Sequence, residues 1–208
     1  MDALLKKTII AAVIVAIIYL ALFIFFDQGI DLRVHEAFSN NKIFQWGTNV
    51  STAATGAYIK LLIAIGLILV IIIDPGLKKD WTRKLLFVCV SCSIAIIIGE
   101  GLKFLLGRHR PVMLFENNRY GLEFFSTKWE LNSTPSGHTL RAFSILTALS
   151  LLFRRFTPLF LTIAILIGAS RVIVTAHYPS DVLFGAFIGI FSALWTYRYF
   201  FEKDSSRR

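Results

Sequence analysis

Three groups of polar residues interrupt long apolar stretches, and their side chains could together bind and cleave a phosphate ester. The first group is Lys103-Phe-Leu-Leu-Gly-Arg-His-Arg110-Pro111, the second is Pro135-Ser136-Gly137-His138, and the third is Ser170-Arg171 followed by His177 and Asp181. Lys103, Arg110 and Arg171 would supply three positive charges suited to a phosphate dianion, each Arg with a planar fork of donors. Ser136 is a candidate N-cap, and the free amides at the helix start behind it can hold an anion. Gly137 lets a ligand approach the backbone closely, and His138 in the same turn could protonate a leaving oxygen. His177 and Asp181 lie four apart across Pro179. A carboxylate there could fix the imidazole tautomer and leave the other ring nitrogen free to attack. Each feature also has a plainer reading: Lys103 snorkelling to headgroups, a bystander His138 beside a cap, and helix capping by Asp181. Two histidines, three cations and an acid in one chain favour catalysis over those readings.

The elements that must position these residues are membrane helices. The chain has 208 residues, 56% of them hydrophobic and 19 of them Phe, with a mean hydropathy of +0.67. Its apolar residues come in long uncharged blocks rather than in alternation, which places the chain in the membrane class. The formal charge of +9 does not point to nucleic acid, because the basic residues gather at the ends of apolar blocks and no reader motif is present. Cys89 and Cys92 sit three apart inside one such block and are read as small buried hydrophobes rather than a redox pair.

An all-α polytopic bundle of six transmembrane helices is expected, as one domain over 1–208. Thr8–Phe26 is the first span, 19 residues without a charge and long enough to cross a hydrocarbon core of roughly 30 Å. Asp27–Thr55 is mixed and polar and reads as an interfacial connection with room for a short amphipathic helix on the membrane. Further spans are expected over Ala57–Ile73, Leu85–Leu106, Gly137–Phe153, Pro158–Ala176 and Pro179–Phe201, with a long loop at Gly107–Thr134.

With both termini cytoplasmic, 12 of the 22 basic residues fall on the inner side. Seven more, Lys103, Arg108, Arg110, Arg119, Lys128, Arg141 and Arg171, lie in or beside the polar groups, leaving only Arg33, Lys42 and Lys60 outside. The positive-inside bias therefore holds once the polar groups are set apart. In this arrangement all three groups reach the extracytoplasmic face.

The pattern Lys-x6-Arg-Pro, Pro-Ser-Gly-His and Ser-Arg-x5-His-x3-Asp resembles the three-part signature of the type 2 phosphatidic acid phosphatase superfamily. That superfamily includes membrane lipid phosphatases, glucose-6-phosphatase and vanadium haloperoxidases. The resemblance implies a metal-independent phosphatase working through a phosphohistidine. Carried onto this chain, His177 would be the nucleophile, Asp181 its orienting acid, and His138 the proton donor. Lys103, Arg110, Ser136, Gly137 and Arg171 would form the phosphate cradle.

Outside the signature, Arg141 should share a helix face with His138 and could touch the substrate headgroup. Arg119 and Lys128 in the long loop are candidates for a second phosphate or a sugar, and Glu100 could pair with Lys103. The four histidines show no metal-ligand spacing, so no metal and no cofactor are expected. The expected partners are the bilayer and a phosphorylated membrane lipid, with no nucleic acid and no obligatory protein partner. The leading reading is a lipid phosphatase of the cell membrane acting at the extracytoplasmic face. Lipid A, undecaprenyl pyrophosphate, phosphatidylglycerophosphate and phosphatidic acid are the candidate substrates, and the cationic loop favours lipid A. A lipid-to-lipid phosphotransferase and an anion transporter or channel are the alternatives.

Overall fold

A chain segment inside a bilayer must satisfy its own backbone, so each apolar block is expected to close its hydrogen bonds as a helix. The computed structural model describes residues 2–38 and 57–202, and all regular elements among them are helical. Helix α1 (Ala3–Ala21) runs through a π turn at Leu22–Phe26 into α2 (Asp27–Phe38). Then come α3 (Ala57–Ile73), α4 (Asp80–Leu106), the short α5 (Pro111–Asn117), α6 (Gly137–Leu152), α7 (Thr157–Ile173) and α8 (Pro179–Tyr197).

By length and composition, four continuous helices can cross a membrane: Ala3–Phe38, Asp80–Leu106, Arg154–Ile173 and Pro179–Glu202. The other two expected spans are shorter, α3 with 17 residues and α6 with 16. Helix α6 is also the more polar, burying Thr139, Arg141, Ser144, Thr147 and Ser150, because it packs against α4, α7 and α8 rather than facing lipid.

The first helix departs from the expected boundary. Helical structure does not stop at Phe26 but continues to Phe38, so the first part of the expected connection is helical and continuous with the first span. The reason is a long-range contact: Asp27 and Asp31 are fully buried, and Asp27 is held by Arg108 from the long loop. A paired charge need not end a membrane helix. The remainder of the expected connection, 39–56, lies outside the described residues.

Between helices in lipid there is little hydrophobic driving force, and close packing of small residues takes its place. Helix α8 meets α6 in this way. A Cβ on Gly189 would lie 2.5 Å from the Leu140 carbonyl oxygen and 2.8 Å from the Ser144 amide nitrogen, so only glycine permits that approach. Phe87, Ala148 and Ala193 centre one apolar cluster, and Ala95, Leu140 and Ile188 the other. Cys89 and Cys92 are free and buried in α4.

One end of the bundle gathers both ends of the described chain. Arg198 pairs with Asp2, Trp195 Nε1 donates to Thr8 Oγ1 at 3.0 Å, and Arg83 donates to the Phe200 carbonyl. The polar groups lie at the opposite helix ends: the last turns of α4 and α7 and the first turns of α6 and α8.

Candidate active site

Helix α4 ends where the site begins. Gly107 takes a left-handed conformation (φ 52°) and its amide closes on the Lys103 carbonyl. A side chain there would collide with the Glu123 carbonyl. Glycine therefore turns the chain outward, and Arg108 forms an antiparallel bridge with Leu122 that anchors the long loop. Pro111 then starts α5 at its first position.

Ser136 stands at the N-cap position of α6, yet its hydroxyl makes no capping bond to the helix; it accepts from Thr139 Oγ1 at 3.0 Å. The first-turn amides are left uncapped by that side chain, which is the condition for anion binding. Above Gly137, a Cβ would lie 3.1 Å from Lys103 Nζ and 3.4 Å from an Arg141 Nη1. Two cations therefore hang over a bare patch of backbone at a helix start. Glu100 tethers Lys103 from one side, its Oε1 lying 3.6 Å from Lys103 Nζ and 3.4 Å from Lys60 Nζ.

His177 is buried in the short link between α7 and α8. Its amide reaches the Arg171 carbonyl, and its Nδ1 lies 2.8 Å from the Ser133 carbonyl oxygen. A carbonyl can only accept, so Nδ1 carries the proton and the lone pair is on Nε2. Burial pulls the ring's pKa down from 6.5 to about 4, and the positive charges of Arg110 and Lys103 push the same way against the opposing pull of Asp181. The ring is neutral at physiological pH, as a nucleophile must be.

Asp181 is 3.8 Å from Nδ1, farther than the Ser133 carbonyl. Its Oδ2 accepts from Ser133 Oγ at 2.6 Å and from the Tyr178 amide at 3.0 Å, and its Oδ1 accepts from Arg108 at 2.5 Å. The bond from Tyr178 belongs to a capping box on α8. Asp181 thus caps α8 and grips Ser133, the residue whose carbonyl holds the imidazole. Its backbone carbonyl also accepts from the Ser136 amide at 3.0 Å, which ties the second and third polar groups together.

The remaining expected residues fall in different places. Arg110 is partly exposed, lies 4.3 Å from the Trp129 ring centroid and donates to the Trp129 and Asn132 carbonyls. Arg171 is buried at the end of α7 and donates to Ser170 Oγ. His138 is half-buried in the first turn of α6. Arg119 and Lys128 are exposed on the loop, where their charges act on Glu123.

Sequence reasoning missed Arg108 and Asp27. Arg108 is fully buried and donates to Asp27, Ser180 and Asp181, with Tyr19 and Tyr120 oxygens also within bonding distance. Aromatic rings of Phe23 and Tyr178 lie 4.7 and 4.4 Å from its guanidinium carbon. The one available signal is the acid at the end of a charge-free run, which reads as a span boundary.

Residues 84–205 match the PAP2 superfamily, the range that holds every residue of the three polar groups. The chain belongs to the PAP2 superfamily. Among relatives, it is 38% identical over 120 residues to a lipid A 1-phosphatase of Rhizobium etli, covering 57% of this chain and 51% of the relative. It is 36% identical over 110 residues to an undecaprenyl-diphosphatase of Sulfolobus acidocaldarius, covering 52% of each. The chain spans about half the length of these curated relatives. The fold is similar to that of LpxE from Aquifex aeolicus, with a TM-score of 0.59, 22% identity, and 84% of this chain and 96% of that one covered. With its apolar helices and this family, the protein is a multi-pass membrane protein.

Proposed function

We propose that this PAP2 protein hydrolyses a phosphate ester or pyrophosphate of a membrane lipid, with His177 as nucleophile. The observation that carries the reading is the imidazole itself: buried, with Nδ1 turned to the Ser133 carbonyl so that the lone pair lies on Nε2. The Nε2 lone pair forms the N–P bond as the P–O bond to the lipid breaks, and the leaving oxygen takes its proton from His138. The ring, still protonated at Nδ1, becomes cationic. Water activated by His138 then attacks phosphorus, and the N–P electron pair returns to Nε2. Lys103, Arg110, Arg171, the Ser136–Gly137 helix start and Arg141 stabilise the charge on the transferring phosphoryl oxygens.

The proposed reaction is metal-independent: Lys103 and Arg141 over the start of α6 supply the charge stabilisation from the protein's own donors. A six-span arrangement, with α3 and α6 crossing despite their length, puts the site at one face and the basic residues near Asp2, Arg83 and Arg198 at the other. By the positive-inside rule the termini are then cytoplasmic and the site extracytoplasmic. Lipid A is the favoured substrate, supported by the lipid A 1-phosphatases among the relatives and by the second pair of cations, Lys60 and Arg141, around the cradle.

The reading is tested by phosphate release from purified protein in detergent against lipid A, undecaprenyl pyrophosphate, phosphatidylglycerophosphate and phosphatidic acid. Release from at least one, abolished by His177→Ala, is expected. No release from any of the four would refute a lipid phosphatase.

A further inference from the structure

We infer that Asp27, in the first helix and outside the matched 84–205 region, is a positioning residue for the nucleophile and acts through Arg108. The inference rests on His177 being the nucleophile, as proposed above.

The contacts form one continuous chain. Asp27 Oδ2 accepts from Arg108 at 2.7 Å and from the Ser180 hydroxyl, while its Oδ1 accepts from the Ser180 amide at 3.2 Å. Arg108 donates onward to Asp181 Oδ1 at 2.5 Å. Asp181 Oδ2 accepts from Ser133 Oγ at 2.6 Å, and the Ser133 carbonyl accepts from His177 Nδ1 at 2.8 Å. Asp27, Arg108, Ser133, Ser180 and Asp181 are all fully buried. Every link but the last, the neutral contact of His177 Nδ1 with the Ser133 carbonyl, carries charge at one or both ends, and such bonds are the strong ones.

Two features make Asp27 more than a structural anchor. First, it fixes which way Arg108 points. The guanidinium is flanked by Tyr19, Phe23, Tyr120 and Tyr178 rings, whose faces attract the cation without orienting its fork, and the neutral Tyr120 hydroxyl accepts from the same Nη2 as the Asp27 carboxylate, at 2.9 Å. Asp27 and Asp181 bind different ends of that fork, Nη2 and Nη1, so the first helix sets the angle at which the third polar group is held. Second, Asp27 and Asp181 share one cation. The cluster therefore carries a surplus of negative charge beside a ring that gains positive charge when the N–P bond forms, and in a poorly screened interior that surplus favours the phosphorylated state. Asp31, one turn further on and fully buried, is not hydrogen-bonded to this chain of contacts.

Asp27→Asn keeps the shape and removes the charge. With lipid A in dodecyl maltoside micelles, the inference predicts that kcat and the rate of covalent labelling of His177 fall about tenfold, the low end of the loss when residues that orient a reacting group from outside are removed. KM should stay within about twofold, since Asp27 does not touch the phosphate. Asp27→Glu, which retains the charge, should recover part of the loss. If Asp27→Asn does not accumulate, folded Asp27→Glu carries the test, because its longer side chain keeps the charge but shifts the carboxylate that holds Arg108. Positioning predicts a lowered kcat at unchanged KM and unchanged Tm, whereas a purely structural role predicts wild-type kcat wherever Tm is wild type. Wild-type kcat in folded Asp27→Asn, or a loss confined to KM, would overturn the inference. His177→Ala run alongside separates the two claims. Activity surviving in that variant sinks the nucleophile assignment, whereas an inactive His177→Ala beside a fully active Asp27→Asn sinks only the role of Asp27.

Discussion

Replacing Arg108 with Leu should be among the most destabilising single changes available in this chain. The guanidinium and both carboxylates it pairs with are at 0% exposure, so the substitution strands Asp27 and Asp181 without a cation. Breaking a buried pair by removing one partner costs ~3–5 kcal/mol. The lower end applies here, because Asp181 keeps Ser133 Oγ and the Tyr178 amide, and Asp27 keeps Ser180. For a domain of this length about 3 kcal/mol corresponds to a fall in Tm of roughly 6–12 °C. Thermal unfolding in dodecyl maltoside, followed by the monodisperse fraction on size-exclusion chromatography, reads this directly. Adding Asp27→Asn to Arg108→Leu should return about 1–2 kcal/mol, since only one of the two stranded charges remains. A Tm for Arg108→Leu within about 2 °C of wild type would refute the claim that the buried cation holds the site together.

Three further outcomes follow from particular contacts. Because folded His177 titrates near 4 rather than 6.5, acid favours the unfolded chain, which takes up the proton that the folded one refuses. The resulting loss is absent above pH 6.5, reaches about 2 kcal/mol at pH 5 and is complete, near 3 kcal/mol, below pH 4. Wild-type Tm should therefore drop more between pH 7 and pH 5 than that of His177→Gln, and equal drops would contradict the burial account. Gly189→Val should cost ~1–3 kcal/mol, because its Cβ would press on the backbone of α6, which cannot yield as a side chain could; an unchanged Tm would argue against the close α6–α8 contact. Phosphate release should survive EDTA, and a loss restored by a divalent cation would contradict a reaction run by protein donors alone.

Much of this was legible in the residues because it is local. Apolar blocks announce helices, Pro179 and Gly107 mark a start and a stop, and the spacing from Lys103 to Asp181 carries the family pattern. What was not legible depends on contacts between distant parts of the chain. Asp27 and Arg108 are 81 residues apart, and each looks like an ordinary charge at the end of an apolar run; only the fold turns them into a buried pair. The same holds for Ser133, whose carbonyl rather than the Asp181 carboxylate makes the short contact to His177. Backbone acceptors have no signature in a sequence. Arg141 was reachable from helical spacing, yet its position over Gly137 beside Lys103 required the structure.

The most direct test of the account is a covalent one. Wild-type protein and His177→Ala, mixed with lipid A carrying radiolabelled phosphate and quenched within a single turnover, can be mapped by peptide mass spectrometry under alkaline conditions that preserve phosphohistidine. The account predicts label on the peptide containing His177 in the wild-type protein and none on any histidine in the variant. Label that persists in His177→Ala, or wild-type turnover in which His177 never carries phosphate, would contradict it.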